Sequence, residues 1–374
     1  MGNHKDTVTS RQVTIAVFSL VIGAGILTVS REVVDTVQTP DAWISVLLAG
    51  LLTMIAGAMS VILCNRYPGR TIFQFSKEVV GPVIGTVANT IAILYFIFIA
   101  GFETRILSEI VSTYLLHRTP EKVLMITFIW VATYQAIGGI NPILKAFEIY
   151  FPIVIVLLVG ILLLSMRKFE IINILPFFGN GITPLLKGVG SSLTIYAGYE
   201  IIFVTTAWME KPKDAMKSLF KGLILTTVIN TAVVLITIGV MSIDEIKNLA
   251  WPTSSLVAEI YLPGGFIENY KLFFIIIWMI SIYTTFLGVQ YLAAVGISQT
   301  FPVKYRNALF AILPFIYLVA LVPHDLGEVF IMGSAVGYTW LGIGLVVPML
   351  FLVISLIRGS KKGGRAKQKC RLKK

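Results

Sequence analysis

The chain has 374 residues, of which 56% are apolar and only 13% charged, with a formal net charge of +11. Soluble domains carry about 25% charged residues, so an ordinary water-soluble fold is excluded and lipid is the solvent around much of the chain. Only helices and closed barrels span lipid, because every backbone polar group must be satisfied internally. Barrel strands alternate in polarity over about 10 residues. The apolar runs here are long and unbroken, which makes the fold class an all-α membrane protein.

A bilayer core of about 30 Å needs roughly 20 helical residues. Stretches free of Asp, Glu, Lys and Arg run over Gln12–Ser30, Ala42–Asn65, Val79–Phe102, Val123–Leu144 and Ile149–Met166. In the second half they run over Gly222–Ile243, Leu272–Val303, Asn307–Pro323 and Val329–Ile357. Gly188–Met209 counts as a further span, interrupted by Glu200 and bracketed by Lys187 and Lys211. The expectation is ten transmembrane helices in one domain over 1–357, with halves at about 10–166 and 187–357, and a tail at 358–374. The first span is followed by Ser30, Arg31 and Glu32 without a small-residue cleavage pattern, so it reads as helix 1 and not as a removed signal peptide.

Basic residues in the loops set the orientation. Lys211, Lys213, Lys217 and Lys221 crowd one loop, and the tail from Arg358 holds nine basic residues and no acidic one, which puts both ends in the cytoplasm. The tail is expected to rest on anionic lipid headgroups, at about 1 kcal/mol per residue near the surface. That juxtamembrane position accounts for its charge without nucleic acid. The loop from Asp244 to Lys271 carries Trp251-Pro252 and Pro263-Gly264-Gly265 around a mixed stretch. It reads as a short amphipathic helix over the outer face, either a lid or a plain connector.

The chemistry-bearing residues are sparse. Cys64 and Cys370 lie far apart in character and have no metal spacing, and His4, His117 and His324 sit at segment ends. No nucleophile or metal motif is present, so no enzyme, cofactor or metal is expected. Glu103 and Arg105 fall two residues apart in the third span, too close along a helix to face each other. Each needs a partner elsewhere or a watery vestibule. Glu148 reads as an interfacial partner of Lys145.

Two spans look broken. Helix 1 reads Val21-Ile22-Gly23-Ala24-Gly25-Ile26-Leu27, where two glycines at mid-membrane either weaken the helix or provide a small packing face. Helix 6 reads Thr194-Ile195-Tyr196-Ala197-Gly198-Tyr199-Glu200-Ile201, with a glycine and a carboxylate together at mid-span. An ionisable residue inside a membrane is a functional candidate. Helices 1 and 6 each open a five-helix half, and interrupted segments at corresponding positions point to the site of an inverted-repeat transporter fold. Free N–H groups at a half-helix start attract anions, and free carbonyls at a half-helix end attract cations, a pairing that suits a zwitterion. The candidate binding residues are Gly23, Ala24 and Gly25 on one side and Tyr196, Gly198, Tyr199 and Glu200 on the other. Glu200 would hold freed backbone N–H groups, pair with a cationic group, or bond a neighbouring helix.

Ser10-Arg11-Gln12 before helix 1, the Ile22–Leu27 stretch within it, Tyr67-Pro68-Gly69-Arg70-Thr71 after helix 2, Gly198-Tyr199-Glu200 and Lys211-Pro212-Lys213 occur in this order over nearly the whole chain. In these features the sequence resembles the spore germination receptor B-subunit family, a branch of the amino acid–polyamine–organocation superfamily. The resemblance implies a LeuT-like 5+5 inverted repeat in the inner membrane of an endospore. It implies a nutrient receptor that binds a small germinant, an amino acid or alternatively a sugar, and that works with A and C subunits. An amino-acid permease is the alternative function that the same fold would serve.

Overall fold

The computed structural model describes residues 7–178, 181–258 and 270–358. The expected basic tail beyond Arg358, Cys370, His4 and the second half of the 244–271 loop lie outside the described residues. Among the described residues there are helices and one isolated bridge between Val8 and Met209, and no strand.

Helix 1 is two helices. α1 (Ser10–Ile22) starts on a capping box, in which the Thr9 side chain takes the Gln12 N–H at 3.2 Å and the Gln12 side chain takes the Thr9 N–H at 3.0 Å. It stops at Gly23, and α2 (Gly25–Val37) departs at an angle of 55°. α3 (Ala42–Arg66) follows, then the short α4 (Ile72–Val80), which Thr71 and Gln74 cap in the same reciprocal way. Pro82 occupies the first position of α5 (Pro82–Tyr114), where a missing N–H costs nothing. α6 spans Glu121–Ala136 and α7 spans Ile140–Ser165.

The broken region of helix 6 comprises α8 (Ile182–Leu193), two tight 3₁₀ turns on either side of Ala197-Gly198, and the single turn α9 (Ile202–Thr205). α10 (Ala215–Val240), the loop helices α11 (Ile243–Asn248) and α12 (Pro252–Ala258), and α13 (Tyr270–Thr300) come next. The chain closes with α14 (Tyr305–Ala311), α15 (Leu313–Ala320), α16 (Leu326–Trp340) and α17 (Val347–Ile357). A π-helical stretch over Leu341–Val346 joins the last two.

Six of these helical stretches are long and apolar enough to cross a bilayer unbroken, and the bent α1–α2 pair raises the number to seven. The other expected spans are helical too, but α6 and the α14–α15 pair are short and the helix 6 region is interrupted. Apolar side chains such as Leu51, Leu52 and Ile55 on α3, and Val83, Val87, Ile91 and Leu94 on α5, stand exposed along the outer faces. Rows of this extent belong against lipid, not water.

Elements early in the chain pack on elements late in it: α1 against the broken stretch, α3 against α10, α5 against α13 and α6 against α15. The innermost elements are α1 and α13. Every residue of α1 from Ala16 to Ile22 is buried.

One expectation needs correction. The fourth and fifth spans do not part at Lys145–Glu148. The turn is at Ile137–Gly139, where Gly139 has a φ of +80°, and both charged residues ride on the first turns of α7. Glu148 accepts a hydrogen bond from Gln12 Nε2 at 3.2 Å, and no ion pair to Lys145 forms among the described residues. The third span carries Glu103 and Arg105 within it. α5 continues to Tyr114 because Arg105 is neutralised there, by Glu109 at 3.0 Å and by Glu121 from the start of α6.

Candidate functional site

The two breaks come together. Gly198 has a φ of +119°, and a Cβ there would sit 2.6 Å from the carbonyl oxygen of Leu20. Glycine is therefore what allows helix 6 to touch the end of α1. Helix 6 unwinds next to it, and its freed Gly198 N–H donates to Glu200 Oε2 at 2.6 Å. Tyr95 of α5 donates to the other carboxylate oxygen at 3.4 Å. Glu200 is 1% exposed. Of its expected roles, those seen are the holding of a freed backbone N–H and a bond to a neighbouring helix.

α1 ends with free carbonyls, as any helix does. Those of Ser19 and Leu20 accept from the hydroxyls of Thr284 and Thr285 on α13, at 3.3–3.4 Å. The first turn of α2 begins on the other side of the gap, with the positive end of its dipole at the break.

The gap between the breaks is a cavity of about 90 Å³. One water molecule needs about 10–15 Å³ on this measure, so the space holds several waters or a small solute. Its wall includes Gly23, Ala24, Gly25 and Gly198 from the expected set, with Thr28, Glu32, Glu103, Thr194, Trp251 and Thr285 as further polar or aromatic members. The remainder is apolar. Tyr196 and Tyr199 are fully buried elsewhere. Tyr196 donates to Val46 O on α3 at 3.0 Å, and Tyr199 donates to Gly344 O in the π-helical stretch at 2.5 Å. Their rings do not line the cavity, so Gly198 alone represents the expected opposing wall.

Glu200 lines a second cavity, of about 110 Å³, on the other side of the Gly198 turn, together with Asn89, Phe96 and Phe203. The Gly198–Glu200 hydrogen bond thus lies in the partition between two cavities.

Sequence reasoning left Glu103 without a role. The structure places its carboxyl in the first cavity, beside the Ala24 backbone N–H. Trp251 covers the α11–α12 side of the same space. It packs edge-on against Trp278 at 5.4 Å and against Phe330 at 5.1 Å, and the Arg31 guanidinium stacks on Phe330 at 4.9 Å. The next residues of that segment are fastened as well, since Thr253 Oγ1 donates to Ile26 O of α2 at 2.9 Å.

A helix bundle in which two interrupted helices meet across a buried cavity defines the LeuT-type membrane transporter fold. Solved structures bear this out. The closed, bromovinylhydantoin-bound form of Mhp1, a nucleobase-cation-symport-1 family transporter, matches with a TM-score of 0.68 at 12% identity, over 94% of this chain and 90% of that one. MhsT in complex with L-phenylalanine matches with a TM-score of 0.66 at 13% identity, over 95% of this chain and 99% of that one.

Sequence comparison is more specific. The spore germination protein family matches residues 7–329, and the chain belongs to that family. Spore germination protein YndE of Bacillus subtilis is 36% identical over 95% of this chain and 98% of its own length. Spore germination protein B2 of the same organism is 33% identical over 98% and 99%, and GerLB of Bacillus cereus is 28% identical over 96% of each. Family and fold are those of permeases and transporters, and the chain is an integral membrane protein.

Proposed function

We propose that this protein is the solute-sensing membrane subunit of a nutrient germination receptor, and that an amino acid bound between the two helix breaks helps trigger germination. The observation that carries the reading is the convergence of both breaks, a helix N-terminus and a buried carboxyl on one small cavity. MhsT, which shares the fold, was solved with L-phenylalanine, and the relatives are germination proteins. In this reading Gly23, Ala24 and Gly25 bring backbone to the solute, Gly198 closes the opposite side, and Tyr196, Tyr199 and Glu200 shape helix 6 from behind.

The accompanying architecture is ten crossings in halves of about 10–166 and 187–357, with both ends in the cytoplasm of the spore and the basic tail on anionic lipid. The protein works with A and C partner subunits in the spore inner membrane. A permease that carries the same solute is the second reading, favoured by the transporter fold itself. Gly25→Val is the direct test, because branched carbons there would project into the cavity. It should abolish solute-dependent thermal stabilisation and the germination response while membrane abundance stays normal. Undiminished responses would place the solute elsewhere. Radiolabelled uptake into vesicles separates receptor from permease.

A further inference from the structure

We propose that Glu103 is the anchor for a protonated amine, so that the cavity selects solutes bearing an ammonium group. The assignment rests on the solute site described above and adds the chemistry that site recognises. Glu103 is 4% exposed, and its Oε2 has no hydrogen-bond partner. Burying a carboxyl oxygen without a partner is costly, and such groups in native proteins call for a specific explanation. Glu103 lines the cavity; its Oε2 is closed off from that space, so a cation in the cavity would compensate the carboxylate through Oε1, beside Gly23.

Among the described residues no cation reaches it. Arg105, the closest basic residue in sequence, is bound to Glu109 and Glu121. Among the described residues no Lys, Arg or His lines the cavity, while two carboxyls do. Glu32 is the second. It is partly exposed, flanked by Arg31 and Asp35 on its own helix, and hydrogen-bonded by Thr28. Glu103 has only the Ala24 backbone N–H beside it, and its Oε2 has no partner.

Gly23 keeps it accessible. A Cβ at that position would fall 3.2 Å from Glu103 Oε1 and 2.8 Å from Thr285 Oγ1, so a side chain there would press on the carboxyl. An ammonium carries three donors and no acceptor, which complements a carboxylate with a free oxygen. The N-terminal turn of α2, at the same break, offers its dipole to the solute's own carboxylate. A free α-amino acid with an aliphatic side chain fits all three features, since Ile99, Ile106 and Val289 make up much of the remaining wall.

The test uses the purified full chain in lipid nanodiscs. Each of the twenty protein amino acids is screened by thermal shift. The tightest binder and its N-acetyl derivative, which keeps the carboxylate and loses the charged amine, are then titrated by calorimetry. Wild type should bind the N-acetyl form about 30-fold or more weakly, and Glu103→Gln should weaken the free amino acid about as much, as when one partner of a buried charge pair is removed. The two losses should not multiply: Glu103→Gln and wild type should bind the N-acetyl form alike. Glu103→Asp keeps the charge, so it should still prefer the free amine even if the glutamine variant fails to fold.

Equal wild-type affinity for the free and N-acetyl forms would overturn the assignment and leave the solute site standing. So would losses that multiply, or stabilisation by sodium chloride alone that Glu103→Gln abolishes. No thermal shift with any amino acid would instead remove the amino-acid site itself.

Discussion

Replacing Gly198 by alanine tests the contact between the two breaks. The alanine would inherit a φ of +119°, and its Cβ would lie 2.6 Å from the Leu20 carbonyl oxygen and 2.7 Å from the carbonyl carbon. Holding a non-glycine residue in such a conformation costs about 1–3 kcal/mol. Pushing Leu20 aside is an overpacking event of about 1–3 kcal/mol more. The total, about 2–6 kcal/mol, is large against the 5–15 kcal/mol that holds a typical protein together. Gly25→Ala is the matched control. The nearest atom to its added Cβ is 3.9 Å away, on Ile195, and the backbone there is helical. It should be neutral or slightly stabilising, because alanine favours helix over glycine. Thermal unfolding of both variants in detergent, followed by intrinsic fluorescence, decides the matter. If Gly198→Ala melted with wild type, or Gly25→Ala fell as far, the proposed close approach of the breaks would be wrong.

Glu200 should show a graded series by the same measurement. Glu200→Gln retains an acceptor for the Gly198 N–H and gives a small loss, whereas Glu200→Ala strands a buried N–H and costs about 1–3 kcal/mol. Equal melting of the two would deny the bond any structural weight. Trp251→Ala removes the cover of the first cavity, and solute dissociation in stopped-flow should speed up by more than its association does. An unchanged dissociation rate would make the α11–α12 segment a connector and not a lid. Single cysteines placed at 210–213 and at 244–250 should label from opposite faces of inverted and right-side-out vesicles. Labelling of both from one face would refute the ten-crossing arrangement.

How far the sequence disclosed this architecture depends on which force each element answers to. Both breaks were legible, because glycines interrupt two spans at corresponding positions and Glu200 cannot sit in lipid unpartnered. The boundary between α6 and α7 was misjudged because charge was taken as the sign of a loop. Lys145 and Glu148 are close enough to the end of the bundle to stay on a helix, and the backbone turns instead at Gly138-Gly139, where left-handed φ is available. The directions of Tyr196 and Tyr199 were not legible, since 3₁₀ turns advance a side chain by a different angle than an α-helix does. The position of Glu103 was hidden for another reason. Its surroundings come from Gly23, 80 positions earlier, and Thr285, far along the chain, and no local pattern reports such a meeting. The π-helical stretch over Leu341–Val346 falls within a long apolar run, where Gly342, Gly344 and the following Pro348 hint at irregular backbone.

The bridge near the chain start has a mechanical consequence. Val8 donates to Trp208 O at 2.9 Å and accepts from the Glu210 N–H at 3.0 Å, while the Ser10 hydroxyl donates to Asp214 at 3.3 Å. This clasp fastens the root of α1 to the far end of helix 6, and beyond the breaks α2 lies against α8. The molecule therefore holds two leaves, each made of one half of both interrupted helices, joined at a common level by Gly23 and Gly198. Torque applied to either root would be shared by both, and a rotation of one leaf on the other would fall at the two glycines, on either side of the cavity. A neighbouring subunit that gripped residues 8–14 or 208–214 would read the width of that hinge directly.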